Sequence, residues 1–98
     1  MSPNNKKKLL ILRKKLDAID NKLLNLLKIR ANHVKRVLSL KEFKKEIIDK
    51  KRIKIILQNI KNKSIKKRID PKISKRIWKN MIYAFIDFEY RNFTNRKK

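Results

Sequence analysis

Residues 9–40 read LLILRKKLDAIDNKLLNLLKIRANHVKRVLSL, and this stretch decides the fold. With Leu16 as the zero of a helical wheel at about 100° per residue, Leu12, Ile19, Leu23, Leu27, Val34 and Val37 fall within about 60° of it. One apolar stripe therefore runs along a helix expected to start near Asn5 and end about Leu40. A typical helix has about 11–12 residues. This one presents more stripe than two shorter partners in the same small chain can cover, so burial by a second copy is the natural solution.

Downstream of that helix the periodicity lapses around Glu42–Glu46, which is expected to be a loop. A short second helix carries Ile53, Ile56, Leu57 and Ile60 at helical spacing, and the polar, basic stretch Lys61–Arg68 reads as a connection. Asp70-Pro71 is a helix start: the Asp carboxylate accepts free backbone N–H groups, and Pro is pre-set for the first turn. The third helix, of medium length, runs to about Phe93. One of its faces carries Ile73, Ile77, Met81, Ala84 and Phe88; the other carries Trp78, Ile82, Phe85, Ile86 and Phe93. A helix apolar on two sides is packed on two sides. The expectation is an all-α chain with one domain over residues 1–98 and a core of about 9–93. Its three helices, one long, one short and one medium, interlace with those of a second copy. Met1–Asn5 and Thr94–Lys98 are expected to fray.

Composition narrows the chemistry. The 98 residues hold no Gly, no Cys, one His and two Pro. Without Gly, hairpin turns and phosphate-cradling loops are hard to build. Without Cys there is no thiolate zinc site and no cysteine nucleophile. The lone His33, at the edge of the stripe, makes a histidine metal site or a catalytic triad improbable, and no role is assigned to it. The apolar run Leu9–Leu12 is too short for a signal peptide or a spanning helix, so a cytoplasmic protein with no membrane partner is expected. Lys+Arg number 31 against 8 Asp+Glu, a formal charge of +23. The surplus of Lys, Ile and Asn matches the codon bias of an AT-rich genome, so part of that charge is read as composition and not as partner choice.

Polar residues on the apolar faces are the informative ones. Arg30 and Lys41 lie about 40° and 20° from the stripe centre, with Arg13 and Asp20 flanking it at about 60° and 40°. Buried cations need anionic partners, and this chain has few acids to offer. An anionic ligand held between helices accounts for Arg13, Arg30 and Lys41 together. On the third helix Glu89 lies among Trp78, Ile82, Phe85 and Phe93, where apolar surroundings favour a neutral carboxyl group. The bland alternative for Glu89 is a pair with a Lys or Arg, such as Arg91 of another chain.

Leu12-Arg13-Lys14-Lys15-Leu16-Asp17-Ala18-Ile19-Asp20, the Leu-rich run Leu23–Leu27, then Arg30, Lys41, Asp49-Lys50-Lys51-Arg52 and Ile69-Asp70 resemble, in order and spacing, the all-helical chorismate mutases. The resemblance covers about residues 9–93. It implies a homodimer of interlaced three-helix chains, each active site completed by the first helix of the other chain. It also implies a dianionic substrate, chorismate, rearranged to prephenate with no metal and no cofactor. Carried over residue by residue, Arg30 and the partner's Arg13 clamp carboxylates. Lys41 bridges a carboxylate and the ether oxygen, Asp49 sits near the ring hydroxyl, and Arg52 adds positive potential. Glu89 stands where the family often has a Gln that donates to the ether oxygen; a Glu donates only when protonated, so the resemblance implies a rate that favours acid pH.

Three departures bear on the activity. Besides Glu89, Ile53 stands where mutases usually have Glu, and Phe85 where Ser is common. An apolar residue after the Arg and an aromatic at the second position resemble the sister isochorismate pyruvate lyases, which release salicylate and pyruvate from the same fold. Lyase is therefore the alternative activity. The segment between Lys41 and Asp49 is also about one residue short of the family's. Outside this family, +23 makes nonspecific binding of nucleic acid in low salt expected. A basic helical nucleic-acid-binding protein is thus a further alternative, although the cations are scattered through every helix. A coiled-coil interaction module would need only the first helix, which leaves the Asp70-Pro71 start and the two-faced third helix unexplained.

Overall fold

The computed structural model describes residues 1–94 as three α-helices: α1 (Pro3–Leu40), α2 (Lys50–Lys66) and α3 (Pro71–Asn92), with a short 3-10 turn at Lys44–Glu46 between the first two. The all-α expectation is met. No helix among the described residues is long and apolar enough to cross a membrane.

The chain divides into two units, Met1–His33 and Val34–Lys98. The first consists of most of α1. It is helical from Pro3, within the Met1–Asn5 stretch that was expected to fray. Ser2 caps it, with Oγ accepting from the Asn5 N–H at 3.2 Å and the Ser2 carbonyl accepting from Lys6 N–H at 2.9 Å. Pro3 takes the first helical position, where a missing N–H costs nothing. This Ser-Pro start is the same device read correctly at Asp70-Pro71. No residue of α1 is buried. The stripe lies open: Leu16 is 57% exposed, Leu23 52% and Leu27 38%. At the other terminus, the expected fraying of 95–98 falls outside the described residues.

In the second unit α2 and α3 pack as an antiparallel hairpin. Ile47, Ile82 and Ile86 are its buried apolar residues, with Leu38, Ile53, Ile56, Leu57 and Phe93 packed around them. Asp49 caps α2, its Oδ1 accepting from Arg52 N–H at 3.0 Å. Asp70 caps α3, its Oδ1 accepting from Lys72 N–H at 2.9 Å.

Lys61–Lys66 is not a connection; it is the last part of α2. Ser64 explains why. It continues the stripe of Leu57 and Ile60, but as a polar residue on the buried face. Its hydroxyl lies 2.6 Å from that of Ser74 on α3 and also donates to Ile60 O at 2.6 Å. The helix ends in a Schellman motif, with Ile69 N–H to Ser64 O at 2.9 Å and Arg68 N–H to Ile65 O at 3.1 Å. The left-handed residue of that motif is usually Gly. In this Gly-free chain it is Arg68, at φ 59°.

α3 uses its two faces differently. Ser74, Ile82, Ile86 and Glu89 are buried, with Trp78 and Phe85 half-buried beside them. On the opposite face Ile73 and Ile77 are more than half exposed.

Candidate functional site

The chain's polar centre lies where the end of α1 meets the C-terminal part of α3. Lys41 follows the last residue of α1, and its backbone N–H closes on Leu38 O at 3.1 Å. Its side chain turns inward. Nζ donates to Glu89 Oε2 at 2.9 Å and makes a longer contact with Ile47 O at 3.5 Å. The two side chains are 16% and 8% exposed. Two charges taken this far out of water persist because each neutralises the other and because the carbonyl of Ile47 meets a second ammonium hydrogen.

Glu89 is faced by an ammonium and its surroundings are not apolar throughout; within its own chain the partner is Lys41, which fits the alternative reading of a pair with a Lys or Arg. Arg91 instead returns to its own helix, Nε donating to Asp87 O at 3.3 Å.

Lys41 and Asp49 also come together. Both line an open hollow of about 640 Å³, with Glu46, Ile48, Lys50 and Lys51 around it. Asp49 holds its place there by capping α2, which occupies one carboxylate oxygen. Arg52 is exposed, and its backbone N–H is the group that Asp49 engages. Ile53 is half-buried and packs against the Ile47, Ile82 and Ile86 cluster. Phe85 is half-buried on α3, one turn before Glu89.

The remaining two candidates belong to the first unit, where Arg13 is exposed and Arg30 half-buried on α1. The structure thus pairs Lys41 with Glu89 and sets Asp49 on the same hollow as Lys41, while Arg52, Ile53 and Phe85 belong to the same unit. The pairing of Lys41 with Glu89 and the place of Ile47 beneath the ammonium were not foreseen. Lys41 and Glu89 had each been singled out, but 48 residues separate them and no local spacing joins them.

Comparison with known proteins gives one finding on this arrangement. No curated protein and no solved structure matches the chain significantly. The sequence profile described as chorismate mutase type II matches residues 12–90 of the 98. That span starts one residue before Arg13, ends one residue after Glu89 and includes every candidate between them, so the chain belongs to the type II chorismate mutase family.

Proposed function

We propose that the protein is a chorismate mutase, working in the cytoplasm as an interlaced homodimer without metal or cofactor. The observation that carries this is the Lys41–Glu89 pair: a cation anchored in the fold at 2.9 Å from its counter-ion, beside a hollow that also holds Asp49. The open stripe of α1 and the open Ile73–Ile77 face of α3 support the dimer, because a chain whose buried apolar residues are Ile47, Ile82 and Ile86 has much surface left to cover.

The reaction asks little conventional chemistry of the protein. One C–O bond breaks as one C–C bond forms, within a single molecule and with no leaving group. Catalysis consists of holding the reactive conformer and stabilising the charge that grows on the ether oxygen. Arg30 and the partner's Arg13 would hold the two carboxylates through planar, bidentate forks. Lys41 would meet the dianion where Glu89 now neutralises it. Before substrate binds, Glu89 keeps that ammonium in position. With substrate bound, a substrate carboxylate takes over as counter-ion, and a protonated Glu89 donates to the ether oxygen. Asp49 would accept from the ring hydroxyl with its uncommitted oxygen, and Arg52 would add positive potential.

Isochorismate pyruvate lyase is the second reading, and Ile53 favours it, because that side chain is committed to the apolar core where a mutase usually offers an acid. Product identity decides between them. Chorismate and isochorismate are supplied separately at acid and neutral pH. Prephenate from chorismate without salicylate is the expected result. Efficient salicylate release from isochorismate would make the protein a lyase, and neither product would remove it from this chemistry.

A further inference from the structure

The +23 charge exceeds what a site for one small dianion uses, and one segment of the second unit is especially rich in it. Eight of the sixteen residues from 61 to 76 are Lys or Arg, against a single acid, Asp70, whose carboxylate is engaged in capping α3. Because α2 and α3 are antiparallel, this segment forms the end of the hairpin remote from the site. Ser74 lies fifteen residues from Glu89, or about 22 Å along α3 at 1.5 Å per residue.

The basic tip is also apolar. Ile65 is 56% exposed and Ile69 44%. Ile65 stands about 100° around the helix from Ser64, turned away from the face that packs on α3. The two isoleucines flank Lys66, Lys67 and Arg68 in the turn, where the left-handed Arg68 reverses the chain. Behind the tip a groove of about 440 Å³ runs between the helices, with Leu57 and Pro71 at its walls and Lys54, Lys61, Lys72 and Lys75 around it.

We infer that the α2–α3 tip is a peripheral docking surface for an anionic lipid bilayer, with Ile65 and Ile69 entering the headgroup boundary and the lysines of the tip, Lys63, Lys66 and Lys67 foremost, meeting lipid phosphates. Charge complementarity calls for a polyanion. The exposed isoleucines choose among polyanions. A bilayer rewards aliphatic side chains ringed by lysines. A single-stranded nucleic acid rewards aromatic stacking groups, and the segment from 61 to 76 contains no aromatic residue.

The test is co-sedimentation of the full chain with vesicles of phosphatidylcholine alone, or with about one third phosphatidylserine, at physiological ionic strength. Binding to the anionic vesicles and not the neutral ones is expected. The triple variant K63E/K66E/K67E should lose at least about tenfold more binding than K35E/K44E/K45E, which removes equal charge away from the tip. The double variant I65S/I69S keeps all charge and should lose about five- to tenfold. Ile65→Ser alone changes an exposed side chain, and it should shift binding in the same direction even if the multiple variants fold poorly. The proposal is overturned by absent vesicle binding, by equal losses in the two charge variants, or by serine variants that bind as well as the parent. It is also overturned if a single- or double-stranded oligonucleotide binds more tightly than the vesicles.

Discussion

Lys41 is held by two groups, the Glu89 carboxylate at 2.9 Å and the Ile47 carbonyl at 3.5 Å, and both are needed because the ammonium is largely out of water. Removing one member of such a pair strands the other. Lys41→Met should therefore cost about 3 kcal/mol, at the low end of the range for breaking a buried pair, and urea denaturation would read it. Glu89→Gln keeps an acceptor for Lys41 and should cost far less. In catalysis the same substitution supplies a donor at every pH. The parent's rate is expected to favour acid pH, and the Gln variant's profile to be flatter. A parallel pair of pH–rate profiles would remove Glu89 from the ether oxygen. Arg68 offers a separate test at this scale. A non-Gly residue in the left-handed region costs about 1–2 kcal/mol, while Gly loosens the unfolded chain by up to about 1. Arg68→Gly should thus raise stability by about 0.5–1 kcal/mol, and a lower melting midpoint would contradict the role given to that turn.

The helices were legible in the sequence where their chemistry is local. Asp70-Pro71 announced α3 because cap and first turn are adjacent residues, and α2 was located by the spacing of Ile53, Leu57 and Ile60. The reading failed where a polar residue does an apolar residue's job. Ser64 interrupted the stripe and the stretch from Lys61 was taken as a connection, since the partner of Ser64, Ser74, becomes visible after the chain reverses. The Ser2-Pro3 start was missed although it uses the rule applied correctly at Asp70, because lysines and not apolar residues follow it. The hydroxyl pair makes its own prediction. Ser64→Ala leaves the buried Ser74 hydroxyl with long contacts to Asp70 O at 3.5 Å and Pro71 O at 3.4 Å, and should cost about 1 kcal/mol. The S64A/S74A double variant should cost little more than the single, as a double-mutant cycle would reveal.

At the scale of the whole molecule, the residues of the candidate site were found one by one in the sequence, yet their partnership was not. The stripe positions marked Arg30 and Lys41, and an acid on an apolar face marked Glu89. The ion pair between Lys41 and Glu89 depends on how α3 returns to the end of α1, which no local pattern encodes. The open stripe of α1 and the open face of α3 carry the same argument outward: what one chain leaves uncovered, a second is proposed to cover, bringing its Arg13 to the proposed site. Arg30→Ala and Arg13→Ala should each lower turnover of chorismate by more than about 100-fold, the scale of losing a preorganised charge donor. The most direct measurement co-expresses the two variants in equal amounts and assays the mixture. If each site joins Arg30 of one chain to Arg13 of the other, half of the dimers are hybrids with one intact site in two, and about one quarter of the parent activity should return. A mixture no more active than either variant alone would contradict the shared site.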